Sequence, residues 1–251
     1  MDARVKTGIP GLDELLGGGL PAGGTYVVVG GSGTGKSILS FEFLYRGALD
    51  YNEPGVYVTL EEDKDRLLAN MGLFGWDAAA MQAQGKLRIV PYTRSVMGDV
   101  EATLEKGMMA GDHERIGRMR QYLTVDSLYR EIEQNCRATG ARRVVIDSLT
   151  VLTLMADTQL VSRMQLLWLL EKLKKLNITT IATLEEGIGY WHDLTFLADG
   201  IIYLSMREKA GIFERGLLIG KMRGTSHDAG IRPFRITDKG ITVYPNEVIV
   251  K

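Results

Sequence analysis

The run Gly30-Gly31-Ser32-Gly33-Thr34-Gly35-Lys36-Ser37, GGSGTGKS, decides how the rest of the chain is read. It satisfies G-x-x-x-x-G-K-[ST], and its setting fits: the branched run 26–29 enters it and a helix-forming run from Ile38 leaves it. The glycines let the backbone curl, so that the N–H groups of Gly31, Ser32, Gly33, Thr34, Gly35, Lys36 and Ser37 can turn toward phosphate oxygens. The emerging helix adds its own free N–H groups and positive end. In such a loop Lys36 reaches the terminal phosphates and the Ser37 hydroxyl ligates Mg2+, so a nucleoside triphosphate, ATP, is the implied ligand.

Working outward, short apolar runs at 26–29, 56–60, 144–146, 178–184 and 201–204 read as strands with little in/out alternation. Strands apolar on both faces belong in a parallel sheet covered by helices. Helical spacing occupies 37–49 and 160–176. In the second, Leu166, Leu167, Leu170 and Leu173 form the expected apolar stripe, Lys172, Lys174 and Lys175 crowd the C-terminal end, and Asn177 turns the chain. Beyond residue 204 the runs 217–222, 234–237 and 241–244 are strand-like. Asp238-Lys239-Gly240 joins the last two tightly, which predicts an antiparallel extension. The whole of 1–251 is expected to be one α/β domain, with the Met-rich segment 94–123 (Met97, Met108, Met109, Met119) as an insertion or flap.

Composition narrows the classes. With 45% apolar and 24% charged residues the chain is globular, and its net charge of −1 gives no overall electrostatic case for nucleic acid or an anionic membrane. The lone Cys136 excludes an intramolecular disulfide and reads as a buried thiol. No apolar run approaches the ~20 residues that span a bilayer, and the N-terminus carries no secretory pattern, so a cytoplasmic protein is expected.

A triphosphate-binding loop needs a metal-positioning acid at the end of another strand, and RVVID (143–147) supplies Asp147. Two further acidic strand ends are spelled alike: TLEE at 59–62 and again at 183–186. In open parallel sheets ligands sit beyond the carboxyl ends of the strands, so both copies face the bound phosphates. Where strand geometry persists, adjacent glutamates point to opposite sides, and one of each pair aims inward.

The chain resembles a single-domain member of the KaiC-like branch of the RecA/RadA superfamily, over nearly its whole length outside 94–123. The residues that carry the resemblance are GIPGLDELLGGGLPAGG (8–24), the GGSGTGKS loop, EPGVYVTLEE (53–62), FGWD (74–77), RRVVIDSL (142–149) and KMRGTSHDAGIRPFRITDKGI (221–241). It implies a RecA-like P-loop NTPase core: a mostly parallel sheet flanked by helices, with C-terminal antiparallel strands. It also implies ATP and Mg2+ as ligands, with ADP as product, and Glu61 and Glu62 as the catalytic pair. Glu185 takes a sensor position reporting to the loop 187–195. Lys221 and Arg223, two apart on a strand, reach into a neighbouring subunit's nucleotide, which implies a ring, a hexamer in the family. The implied role is slow ATP hydrolysis as a regulatory or signalling switch with an unidentified protein partner.

Two alternatives stand beside it. Autophosphorylation would need an acceptor near 194–199, where LTFLAD offers Thr195 followed by Phe196 instead of a Ser-Thr pair. A DNA-associated recombinase paralogue would bind through 148–163 and 185–194, but these stretches hold one arginine and four acidic residues, a poor match to phosphate neutralisation. His192 and His227 lack metal-ligand partners at suitable spacing. Tyr190 and Trp191 are candidates for stacking on a base or a neighbouring subunit, or for a partly buried pair.

Overall fold

The computed structural model describes residues 3–92, 124–209 and 211–249. The 94–123 segment, expected as an insertion or flap, lies outside the described residues. A short antiparallel pair, β1 (Arg4–Val5) and β2 (Leu20–Pro21), brackets helix α1 (Leu12–Leu15). Then follow β3 (Thr25–Gly30), α2 (Lys36–Asp50), β4 (Gly55–Thr59), α3 (Lys64–Gly72), α4 (Ala78–Ala83) and β5 (Leu87–Pro91). After the undescribed segment come α5 (Val125–Thr139), β6 (Arg143–Asp147), α6 (Thr150–Met155), α7 (Gln159–Lys175), β7 (Thr179–Glu185), α8 (Trp191–Leu197) and β8 (Gly200–Lys209). The chain ends with β9 (Ile212–Met222), β10 (Arg232–Thr237) and β11 (Gly240–Val243).

One nine-stranded sheet runs in the order β11-β10-β9-β8-β3-β7-β6-β4-β5. The six strands from β8 to β5 are parallel, and β9, β10 and β11 continue the edge antiparallel, as the sequence predicts. Alternation divides each strand between two cores. Val28, Tyr57, Val145 and Ile181 face α2 and α4. Val27, Val29, Val56, Val58, Val144 and Ile146 face α5 and α7. Each fully buried branched side chain contributes about 1.5–3 kcal/mol, so a strand buried on both faces is fixed in register.

Helix α7 starts at Thr158, whose hydroxyl accepts from Val161 N, and its last turn carries Lys172, Lys174 and Lys175. Its apolar stripe differs from the expected one: Leu166, Leu169, Leu170 and Leu173 are buried, while Leu167 is 43% exposed. Residues three, four and seven apart share a helix face, and Leu167 lies about 100° around from Leu166. The stretches 148–163 and 185–194, weighed above for DNA binding, carry the short helix α6 and the start of α8 beside the expected start of α7. One- and two-turn helices are too short to display a period. Cys136 is buried, and burial pushes its thiol up to about 12. No helix among the described residues is long and apolar enough to cross a membrane.

Helix α2 is buried nearly all round, between the sheet and the β10–β11 hairpin. It carries a buried acid, Glu42, whose carboxylate accepts from Ile241 N at 2.7 Å, while Arg46 stands 3.7 Å away. Burial pushes Glu42 up from an ordinary 4.5 to about 7, against the opposing pull of Ile241 N and Arg46. Between those two values the unfolded chain gives up this proton while the folded chain keeps it. Stability therefore falls as pH rises from about 4.5 to 7 and is level above, the loss being on the order of 3 kcal/mol. Glu42→Gln is expected to remove that slope and to stabilise the protein at pH 8 relative to wild type, as read by urea denaturation at pH 5 and pH 8.

Candidate active site

Strand β3 ends at Gly30 and delivers the chain into the glycine loop. Gly33 (φ 74°) and Gly35 (φ 103°) take left-handed conformations that side chains rarely adopt. Gly35 is the N-cap of α2 and offers no side-chain cap, so the first N–H groups of the helix turn toward the loop. Thr34 is buried and its hydroxyl donates to Gly31 O at 2.9 Å, bracing the curl from within. Lys36 Nζ donates to Gly30 O and Gly31 O, both at 2.9 Å, which holds the ammonium above the loop.

The loop forms one wall of a cleft of about 310 Å³, lined by Ser32, Gly33, Gly35, Lys36, Ser37, Ile38, Glu61, Asp147, Ser148 and Glu185. Thr34, buried and bonded to Gly31 O, supports this wall from behind. Among the described residues, three carboxylates, Glu61, Asp147 and Glu185, share the cleft with the single ammonium of Lys36. Burial lowers the Lys36 pKa, and the three carboxylates pull it back up. Glu61 lies at the exposed mouth; its pKa is raised by partial burial and by Asp147 and Glu185, against the opposing effects of the Ser148 hydrogen bond and Lys36. Phosphates entering this acidic cleft need a further cation beside Lys36. A serine hydroxyl and a carboxylate are the hard oxygen donors that Mg2+ prefers, so the residues present fit that ion.

Asp147 closes β6 and is fixed from both flanking strands. Tyr57 on β4 donates its hydroxyl to Asp147 Oδ2 at 2.5 Å, and Thr183 on β7 donates to Asp147 Oδ1. Burial holds the Tyr57 pKa well above its ordinary value, and Asp147 adds to the rise. The sequence reading missed Tyr57, Thr183 and Ser148. A hydroxyl set among apolar strand residues was the available signal.

The two TLEE copies do different work. In the first, β4 ends at Thr59, and the Thr59 hydroxyl donates to Glu62 O (2.8 Å) and accepts from Glu62 N (2.9 Å), closing a tight turn. That turn sends Glu61 to the cleft, where Ser148 Oγ donates to it at 3.2 Å. Glu62 is sent to α3, where Asn70 Nδ2 donates at 2.8 Å and Arg66 stands 3.7 Å away. In the second copy Thr183 clamps Asp147, Glu185 ends β7 inside the cleft, and Glu186 is exposed. The Glu185 N–H donates to Thr150 Oγ1 at 2.9 Å, which ties it to α6.

Lys221 and Arg223 lie at the other edge of the sheet. Ile201 pairs with both Lys221 and Val27, and Gly30 is three residues beyond Val27, about 10 Å along the strand. Register shifts between Ile201 and Ile202 and skips Gly220, so the bulge gives the core position to Met222 and turns Lys221 outward. Lys221 Nζ donates to Phe196 O at 2.9 Å, and Arg223 donates to the same oxygen at 3.5 Å. Asp199 also attracts Arg223 (3.6 Å) and Lys174 (2.9 Å), so three cations cluster around one acid.

Thr195 is buried in α8, and its hydroxyl donates to His192 O at 2.6 Å. Trp191 stacks on His192 with ring centroids 3.7 Å apart, and Tyr190 is half-buried. His227 Nδ1 contacts Thr225 O at 3.4 Å.

A profile of the family described as "ATPase: KaiC" matches residues 5–248. A UPF0273 protein of Aeropyrum pernix is 40% identical over 98% of this chain and 95% of its own length. The circadian clock oscillator protein KaiC of Synechococcus elongatus is 35% identical over 97% of this chain, which spans 44% of that longer protein. Among solved structures, a KaiC-like protein of the hyperthermophilic archaeon Pyrococcus horikoshii OT3 aligns with a TM-score of 0.80 at 36% identity, over 98% of this chain and 100% of that one.

Proposed function

The chain belongs to the KaiC family of ATPases, a P-loop nucleotide-binding family with a RecA-like core, and from that premise we propose that it hydrolyses ATP slowly in the cleft above Gly30–Ser37. The observation that carries this reading is the convergence of Lys36, Ser37, Glu61, Asp147 and Glu185 on one cleft at the carboxyl edge of the sheet. The loop N–H groups and the α2 N-terminus bind the phosphates, and Lys36 turns from its carbonyl partners to the β- and γ-oxygens. Ser37 and Asp147 hold Mg2+, which when bound offsets the charge on the β- and γ-phosphates. Glu61 orients the attacking water and accepts its proton. Glu185, tied to α6, registers the γ-phosphate and passes its loss to the 187–195 segment.

The same reading makes 1–251 one ATPase unit that works in a ring, six-membered by analogy with the family. The cleft is acidic, whereas the edge bearing Lys221, Arg223 and Lys174 is basic. Complementary faces at opposite edges suit a head-to-tail interface, and such interfaces close into rings. Lys221 and Arg223 would then stabilise charge on the phosphoryl group held by the next subunit. The output is a switch between nucleotide states, read by a protein partner.

Mass measurement in solution with and without ATP–Mg2+, with phosphate release assayed on each species, tests catalysis and assembly together. Full turnover by a monomer would contradict the reading. Mixing gives a second test. Lys36→Ala and the double variant Lys221→Ala/Arg223→Ala are each expected to be inactive alone. Mixed rings regain turnover, because a subunit that cannot bind ATP still supplies its cations to a neighbour. Absence of recovery in rings shown to be mixed would reject the trans assignment.

A further inference from the structure

Tyr57 sits inside β4, fully buried, with its ring 5.5 Å from that of Phe41 on α2. A phenylalanine would pack there equally well, so packing gives no reason for the hydroxyl. A buried hydroxyl needs a partner, and Tyr57 donates its own to Asp147 Oδ2 at 2.5 Å. Asp147 is one of the two side chains that the reading above assigns to Mg2+, and the inference rests on that assignment.

We propose that Tyr57 is a positioning residue whose hydroxyl fixes the Asp147 carboxylate in one arrangement for a divalent cation. Asp147, bonded by Tyr57 at one oxygen and by Thr183 at the other, cannot turn about its carboxyl axis. Each of its oxygens retains acceptor capacity, which suits contact through cation-bound water. Fixed outer partners of this kind keep donors oriented before the ion arrives, and their loss weakens metal affinity more than it disturbs the fold.

Tyr57→Phe tests this, with Mn2+ as a spectroscopic stand-in for Mg2+ and a non-hydrolysable ATP analogue as the nucleotide. Bound and free Mn2+ are separated by electron paramagnetic resonance. The variant is expected to weaken Mn2+ binding about 10-fold or more while its affinity for metal-free nucleotide and its melting temperature stay at wild-type values. The Mg2+ concentration giving half-maximal turnover rises in step, and kcat is regained at saturating Mg2+. Thr183→Val, which removes the other hydroxyl from Asp147, shifts Mn2+ binding in the same direction. Mn2+ affinity within about twofold of wild type, or an equal loss of metal-free nucleotide binding, would overturn the proposal. Should Mn2+ fail to tighten nucleotide binding in wild type, or should Ser37→Ala leave the tightening intact, the metal assignment itself fails and this inference with it. A responsive wild type with an unaltered Tyr57→Phe sinks the inference alone.

Discussion

Lys36→Ala is expected to weaken ATP binding by about two to four orders of magnitude, with the fold preserved. Among the described residues that line the cleft, the ammonium is the one cation, set beside Glu61, Asp147 and Glu185. Its removal costs charge-assisted hydrogen bonds to two phosphates, about 1.5–3 kcal/mol each, or ~3–6 kcal/mol together. It also leaves three carboxylates facing the incoming phosphates, so the loss lies toward the upper end of that range. Lys36 is only half-buried, and its hydrogen bonds in the structure go to the loop's own carbonyls. Melting temperature should therefore change little. Fluorescent-nucleotide titration measures the effect, and wild-type affinity in the variant would show that the phosphates bind elsewhere.

Glu61→Gln is the second large effect, and it acts on turnover instead of binding. Loss of a positioned general base lowers kcat by about 10²–10⁴-fold while ATP affinity is held or improved, since a carboxylate facing the γ-phosphate has been neutralised. The geometry separates the two members of the pair. Glu62 is engaged by Asn70 and Arg66 on α3, so Glu62→Gln should leave kcat within a few-fold of wild type. The pH profile adds a signature. Burial, Asp147 and Glu185 raise the Glu61 pKa, so the base is protonated at a higher pH than an ordinary carboxylate. Wild-type turnover accordingly falls on the acid side above the usual carboxylate range, and the residual rate of Glu61→Gln lacks that limb. Unchanged turnover in Glu61→Gln would remove Glu61 from the catalytic role.

Much of this site was legible because its chemistry is spelled by local spacing. GGSGTGKS is contiguous, and Asp147 follows three apolar residues that form a strand. Parallel strands also declare themselves by being apolar on both faces. What stayed hidden depends on which strands become neighbours. Tyr57 and Thr183 reach Asp147 because β4 and β7 flank β6, a pairing set by contacts distant in sequence. In the string alone the Tyr57 hydroxyl stands out among apolar neighbours, but nothing there says which acid it meets. The opposite aims of Glu61 and Glu62 were expected from strand alternation, but β4 stops at Thr59, and the turn closed by the Thr59 hydroxyl directs them. The turning of Lys221 was hidden for a similar reason: uninterrupted alternation would aim it inward with Ile219, and the bulge at Gly220 reverses this.

The most direct test of the central claim is a crystal structure with Mg2+ and a non-cleavable ATP analogue. The triphosphate is expected along Gly31–Ser37, with Lys36 Nζ moved onto the β- and γ-oxygens and a Glu61 carboxylate oxygen within about 3 Å of a water in line with the γ-phosphate. An analogue bound away from this loop, or Glu61 directed into solvent while Glu62 or Glu185 holds that water, would contradict that claim.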